Sequence, residues 1–159
     1  CEDWVFVGAP LADRNQVDCG VVHLFKRTEE GLSARGEIHG LSYSDTFAFG
    51  SRIAASESHL FVLYASASGV PGCSVYRKPI SDEQWRLVSN FSIDDHNSTD
   101  GIGLNGCSLE VKQDYLALGM PSALNQNGQV VGVVQAFHNP SWIALDSLEL
   151  DPIFLDQNV

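Results

Sequence analysis

The sequence predicts an all-β fold made of repeated four-stranded antiparallel units. A short apolar segment occurs three times, at residues 4–10 (WVFVGAP), 59–65 (HLFVLYA) and 115–121 (YLALGMP). The three copies start 55 and 56 residues apart, and such a period is typical of one supersecondary unit copied along a chain. No window shows the apolar periodicity of an amphipathic helix.

Each copy of the segment predicts a β-strand, because it is short, rich in β-branched and aromatic residues, and followed by turn residues. A further strand follows a polar loop in each unit, at residues 20–25, 72–76 and 132–137. A weaker strand comes next, at 32–38, 85–91 and 142–145, the last extending toward residue 150. Another strand, 45–54, precedes the second copy and reaches it through a tight turn at 56–58. The unit is therefore four antiparallel strands joined by hairpins.

Four-stranded units at this period predict the blades of a β-propeller. The first blade covers about residues 1–44 and begins at its second strand, the second covers about 45–99, and the third about 100–155. Propellers close with roughly four to eight blades. We therefore expect the segment to belong to a larger closed propeller, whose remaining blades come from the same or another chain.

These residues resemble the FG-GAP repeat, the blade of the integrin α-subunit head. The resemblance is carried by Phe49-Gly50 and by the segments 8–10 (GAP) and 119–121 (GMP), and it extends over nearly the whole chain. It implies a β-propeller and a non-catalytic extracellular recognition or adhesion module that binds a protein or a glycan through loops at its rim. The alternative is a structural or accessory propeller domain of a larger secreted enzyme.

Polar loops outside the repeat form the candidate binding surface, because loops on a rigid scaffold commonly carry function. They span residues 11–19, 94–101 and 123–129. The candidate ligand-binding residues in them are Asp13, Asn15, Asp18, Asp94, Asp95, Asp100, Asn125 and Asn127. We assign no metal to these loops, because loops rich in Asp and Asn are ordinarily turns and solvated surface.

The resemblance to the FG-GAP repeat suggests calcium as a cofactor. Integrin-like blades often carry an Asp-x-Asp-x-Asp-Gly-x-x-Asp loop between the Phe-Gly strand and the Gly-Ala-Pro strand. The corresponding turns here, residues 55–59 and 111–115, are too short to supply the roughly six to eight oxygens that calcium takes. We therefore expect no cofactor.

The sequence also contains no Gly-x-Ser-x-Gly, His-Glu-x-x-His or phosphate-loop motif, so we expect no catalytic residues.

Composition limits the partners and the compartment. The formal net charge is −11, with 20 acidic residues against 9 basic ones, which disfavours nucleic acid because a phosphate backbone requires a basic face. No apolar stretch has the length of a membrane span. Four cysteines and two glycosylation sequons, at Asn90 and Asn97, predict an extracellular or cell-surface protein of the secretory pathway.

The cysteines have a predicted layout in the blades. Cys19 and Cys73 flank the glycine that opens the third strand of a blade, and Cys107 lies near the start of a first strand. These strands run in the same direction, so the three cysteines lie toward one rim and Cys1 toward the other. A strand spans roughly 20 Å, whereas a disulfide requires Cα atoms within about 7 Å, so a Cys1–Cys19 disulfide within one hairpin is disfavoured. We expect a Cys73–Cys107 disulfide between the second and third blades and leave the partner of Cys1 open.

Two glycines and two aromatic residues carry packing expectations. Gly8 and Gly119 lie where the chain leaves a strand, so a side chain there is expected to crowd the next blade or to require positive φ. Phe6 and Phe25 are expected to fill the space between stacked sheets.

Overall fold

A computed structural model describes residues 3–13, 16–41, 46–66, 69–79, 84–93, 107–112, 115–121, 133–138 and 150–151. These residues contain strands and turns and no helix. The strands are β1 (Trp4–Ala9), β2 (Val21–Thr28), β3 (Gly31–Ile38), β4 (Thr46–Ala55), β5 (His59–Ser66), β6 (Pro71–Arg77), β7 (Arg86–Ser92), β8 (Ser108–Lys112), β9 (Tyr115–Met120), β10 (Val133–His138) and β11 (Leu150–Asp151). The predicted all-β class is therefore confirmed.

The strands form three antiparallel sheets. The first sheet is β1-β2-β3, the second is β4-β5-β6-β7, and the third is β8-β9-β10-β11. Each strand pairs with the strand before or after it in the chain, so every sheet is a simple meander. The three sheets fall within residues 1–44, 45–99 and 100–155. Among the described strands the sheets do not close into a ring, and their identity as propeller blades stays a prediction.

The second sheet lies between the other two and packs on both. β4 contacts β1 and β2 on one side and β8 on the other. The side chains of β5 alternate between the two sides, as a strand's pleat requires. Leu60 and Val62 pack toward the first sheet, and Phe61 and Leu63 pack toward the third. This double burial explains why β5 is an unbroken apolar run.

Two apolar clusters hold the sheets together. The first interface cluster joins the first and second sheets, and its buried members are Val22, Leu24, Ile38, Phe49, Leu60, Val62, Tyr64 and Tyr76. The second interface cluster joins the second and third sheets, and its buried members are Ala54, Phe61, Leu63, Ala65, Cys73, Val75, Ile93, Cys107, Val111, Leu116, Leu118, Met120 and Phe137.

The two phenylalanines predicted to fill the space between sheets have different positions. Phe6 packs against the first interface cluster, as predicted. Phe25 pairs with Val5 and therefore lies on the opposite face of the first sheet, away from the second sheet. No described sheet packs on that face, so the prediction for Phe25 stays a prediction.

The two repeat glycines also differ. Gly8 lies against the second sheet, where an added Cβ would collide with the backbone oxygen of Gly50, so the predicted crowding is confirmed. At Gly119 an added Cβ would instead lie 2.6 Å from Ser108 Oγ, in the same sheet.

β4 leaves its ladder where the Phe-Gly motif lies. Phe47 pairs with Ala65, and the next pair is Arg52 with Leu63, so residues 48–51 bulge out of the sheet. The bulge contains two left-handed residues, Ala48 at φ 52° and Gly50 at φ 89°. Its buried aromatic residue, Phe49, belongs to the first interface cluster, so the bulge turns this side chain toward the first sheet.

Candidate functional site

The loop between β1 and β2, residues 11–19, is the predicted binding segment that the structure describes most fully, with residues 11–13 and 16–19 placed. The Ala12 N–H donates to the Ala9 carbonyl at 3.1 Å, which turns the chain as it leaves β1. The Ala12 carbonyl in turn accepts from the Gly20 N–H at 3.1 Å and from Cys19 Sγ at 3.5 Å. The two ends of the loop are thereby held together.

Two of the predicted site residues, Asp13 and Asp18, are brought together in this loop. The Asp18 N–H donates to Asp13 Oδ1 at 2.9 Å, which is the way that short Asp side chains stabilise turns. Asp18 has φ of 55°, a left-handed conformation that Asp tolerates better than most residues. Both residues are exposed. The hydrogen bond to one carboxylate oxygen of Asp13 therefore stabilises the turn of this loop.

The loop is fixed to the second sheet through the β4 bulge. The Ala48 N–H donates to the Asp18 carbonyl at 2.8 Å, and the Phe49 N–H donates to the Cys19 carbonyl at 3.2 Å. Gly20 forms a parallel bridge with Phe49 and has φ of 77°. An added Cβ at Gly20 would lie 2.6 Å from the Phe49 nitrogen, so this junction requires glycine. The loop is consequently anchored to two sheets.

Two large apolar side chains project from this anchored loop. Leu11 is 71% exposed and Val17 is 69% exposed, which makes them the two most exposed large apolar residues among the described residues. Sequence reasoning selected polar residues and missed these two. The sequence does contain a clue to them: each lies in a loop between two predicted strands, where the repeat predicts no buried position. The loop therefore presents an apolar pair beside Asp13 and Asp18.

The remaining predicted ligand-binding residues lie outside the described residues. They are Asn15, Asp94, Asp95, Asp100, Asn125 and Asn127, and the loops 94–101 and 123–129 lie outside as well. The same holds for the predicted glycosylation site Asn97 and for Cys1. The assignments made for these residues stay predictions.

Asn90, the other predicted glycosylation site, lies on the exposed strand β7. Its Oδ1 accepts hydrogen bonds from the Tyr64 hydroxyl and from Ser74 Oγ, both at 3.0 Å. Burial raises the pKa of the Tyr64 hydroxyl, and the hydrogen bond to Asn90 lowers it by a smaller amount. A glycan would attach to Nδ2 and leave Oδ1 as an acceptor. The network is therefore compatible with glycosylation, which stays a prediction.

Three cysteines, Cys19, Cys73 and Cys107, are buried thiols in this structure. Cys73 and Cys107 belong to the same second interface cluster, as their predicted pairing requires, although they are not joined. Burial raises the pKa of the Cys73 thiol to about 12, which keeps the thiol protonated at neutral pH. The Cys73–Cys107 disulfide stays a prediction.

A polar cluster missed by sequence reasoning lies on the first sheet. His23 and Glu37 are directly opposite each other on β2 and β3, with His23 Nδ1 3.1 Å from Glu37 Oε1. His39 follows, with its Nε2 3.6 Å from Glu37 Oε2. The three side chains are each about one-third exposed. The Glu37 carboxylate therefore lies close to both imidazoles, with one oxygen near each ring.

Two kinds of feature are absent from the part of the chain that the structure describes. No group of three or more His, Cys, Asp or Glu side chains there is arranged to hold a metal ion. Nor is there, over the same residues, a helix long and apolar enough to cross a membrane.

No family model matches the sequence, and no curated protein matches it. The resemblance to the FG-GAP repeat accordingly depends on the residues and the spacing of this chain alone.

Proposed function

We propose that this chain is a non-catalytic extracellular recognition or adhesion module of the FG-GAP type, and that it binds a protein partner through the β1–β2 loop. The proposal depends on the pair Leu11 and Val17, which are 71% and 69% exposed on a loop that is hydrogen-bonded to two sheets. Large apolar side chains held in water on a fixed backbone are typical of a protein contact, since their burial contributes affinity and little ordering entropy is lost.

The chemistry of the loop indicates the kind of partner. Asp13 and Asp18 lie in the same loop as the apolar pair, and the whole chain has a formal net charge of −11. A matching surface would present aliphatic or aromatic side chains next to Lys or Arg. Charge complementarity of this kind accelerates association and selects among partners.

The test is a selection from a displayed library of random peptides with the chain as target. We expect the selected peptides to combine large apolar residues with Lys or Arg. Their affinity for a Leu11→Ser/Val17→Ser double variant should be at least tenfold weaker, because each buried aliphatic side chain contributes about 1.5–3 kcal/mol and each tenfold is about 1.4 kcal/mol. Isothermal titration with one synthetic selected peptide measures the difference.

The matched control is Val88→Ser, which removes an exposed valine on β7, away from the loop. It should bind the peptide as the unaltered chain does. Equal affinity of the double variant and the control would refute the role of the loop. Strong binding to a glycan array, without enrichment of any peptide, would favour a carbohydrate ligand in place of a protein.

A further inference from the structure

Two left-handed residues meet where the β1–β2 loop joins the β4 bulge. Among the described residues, Asp18 at φ 55° and Ala48 at φ 52° are the only ones besides glycine with positive φ. A residue with a Cβ adopts this conformation at a cost, and such residues concentrate at ligand clamps and switches. The Ala48 N–H donates to the Asp18 carbonyl at 2.8 Å, so the strained residues are bonded directly to each other.

The residues that follow extend this contact into the interface between sheets. The Phe49 N–H donates to the Cys19 carbonyl at 3.2 Å, and both residues are buried. The Phe49 ring lies against Tyr64 and Tyr76, with ring centroids 6.5 and 6.4 Å away. The backbone of Phe49 thus holds the end of the loop, while its side chain belongs to the first interface cluster. Displacing the loop end would therefore disturb the packing of the first sheet on the second.

One polar side chain supports the loop side of this junction. The Asp18 N–H donates to Asp13 Oδ1, while the Asp18 carbonyl accepts from Ala48. Both peptide groups of Asp18 are therefore fixed, which holds the residue in its left-handed conformation. Val17 directly precedes Asp18, and Leu11 lies two positions before Asp13. The conformation at Asp18 consequently affects how the exposed apolar pair is presented.

We propose that residues 18–20 and 48–50 form a latch, which couples the β1–β2 loop to the packing of the first and second sheets. In the closed state both backbone hydrogen bonds are made, whereas in the open state Asp18 and Ala48 relax to ordinary φ values and both bonds are lost. The strain in the closed state offsets part of the hydrogen-bond free energy, which brings local opening within reach. A ligand of the closed loop makes opening rarer, and opening weakens ligand binding by the same factor. This coupling rests on the proposed function only for its ligand.

Amide hydrogen exchange of the free protein tests the latch without any ligand. The Ala48 and Phe49 N–H groups are the reporters, because each donates to a carbonyl of the loop. Asp13→Ala removes the acceptor of the Asp18 N–H and should speed exchange at both reporters by about fivefold, which corresponds to the usual net value of one hydrogen bond. Asp13→Asn is the matched control, since it keeps an acceptor oxygen, and should leave both rates unchanged.

Ala48→Gly tests the strain. Glycine adopts the left-handed conformation without a Cβ penalty, so the closed state is favoured and exchange at Phe49 should slow by about threefold. The matched control is Ala34→Gly, at an exposed alanine of β3 whose φ is not left-handed. This control should leave exchange at Phe49 unchanged.

The synthetic selected peptide tests the coupling to the ligand. At a free peptide concentration of ten times its Kd, exchange at Ala48 and Phe49 should slow by about tenfold, because a ligand of the closed state alone reduces opening in proportion to its occupancy. The same peptide concentration should leave both rates unchanged in the Leu11→Ser/Val17→Ser double variant, which binds the peptide weakly.

Three outcomes would overturn the proposal. The first is exchange at both reporters that Asp13→Ala leaves unchanged, and the second is an equal effect of Asp13→Ala and Asp13→Asn. The third is a bound peptide that leaves both reporters unchanged, which would refute the coupling while the proposed recognition stands. If no peptide is selected, the proposed function fails alone, and the measurements on the free protein still decide whether the loop and the bulge open together.

Discussion

The contact between the first and second sheets depends on residues without side chains. Gly8 faces the backbone carbonyl of Gly50. A Cβ added to Gly50 would in turn lie 3.1 Å from the Val21 carbonyl oxygen. Gly50 has φ of 89°, which other residues adopt only with strain. The glycines of the repeat motifs therefore allow two backbones to meet.

Alanine substitution at equivalent repeat positions tests this contact. Gly8→Ala should destabilise the chain by about 1–3 kcal/mol or more, because its methyl group meets the fixed backbone of Gly50. Gly119→Ala should cost less, since its methyl group meets only the Ser108 hydroxyl, which can rotate away. Urea unfolding of both variants measures the difference. Equal losses would contradict the sheet-to-sheet contact at Gly8.

At the level of secondary structure, β4 connects all three sheets. Its bulge binds the loop after β1, and the next residue, Arg52, reaches the third sheet. Arg52 Nε donates to the Cys107 carbonyl at 2.6 Å, and Arg52 Nη1 donates to the Ser51 carbonyl at 2.7 Å. A single side chain therefore ties the end of the bulge to the residue that precedes β8.

Replacing Arg52 by Met removes both hydrogen bonds and keeps an unbranched stem of similar length. We expect a loss of about 1 kcal/mol in the free energy of unfolding, the usual net value of a partly buried hydrogen bond. Thermal unfolding measures it. Arg27→Met on the exposed end of β2 is the control and should change stability by less than about 0.5 kcal/mol. Arg52 has no structural role of this kind if the two variants are equally stable.

The molecule as a whole is held by a middle sheet with two buried faces. Tyr76 belongs to the first interface cluster and Cys73 to the second, so each face carries a buried acidic group. Burial raises the pKa of the Cys73 thiol and of the Tyr76 hydroxyl to about 12 in each case. Burial therefore favours the protonated, uncharged form of both groups in the folded protein.

Stability should therefore fall at alkaline pH. In the reduced protein the unfolded chain releases the Cys73 proton near the ordinary pKa of 9.0, whereas the folded chain holds it until about 12. Between these values the unfolded state binds fewer protons, so the free energy of unfolding decreases as pH rises, by up to about 1.4 kcal/mol per pH unit for one group. Below pH 9 this contribution is complete and constant.

Urea midpoints measured from neutral pH to pH 11 test this expectation. Cys73→Ala should lower stability at every pH by opening a cavity, yet show a shallower decline just above pH 9, where the thiol is the first of the two groups to titrate. An unchanged slope in the variant would show that the thiol is not the group responsible.

The strands were largely predictable from the sequence, and the contacts between sheets were not. β5 and β9 stand out because each is a short run of apolar residues at consecutive positions of the chain. The bulge at Ala48 is different, since its N–H donates to the Asp18 carbonyl of the β1–β2 loop, a contact that no local pattern reveals. Arg52 likewise bonds to a residue 55 positions away.

The sequence predicted where the candidate loop lies, but only some of the side chains that the loop presents. Asp13 and Asp18 were selected as polar loop residues, and the structure brings them together. Leu11 and Val17 were not selected, because apolar residues in a repeat are first assigned to the core. Their exposure becomes evident only once the strands on both sides have taken the core positions.

The meander topology also has a consequence for the order of folding. Each described strand finds its partner next to it in the chain, so a sheet can form as soon as its own residues have left the ribosome. The bulge in β4 is an exception, since the N–H groups of Ala48 and Phe49 donate to the carbonyls of residues 18–19, in the loop between β1 and β2. Synthesis from the amino terminus presents that acceptor first, and each new sheet then assembles on a template that already exists.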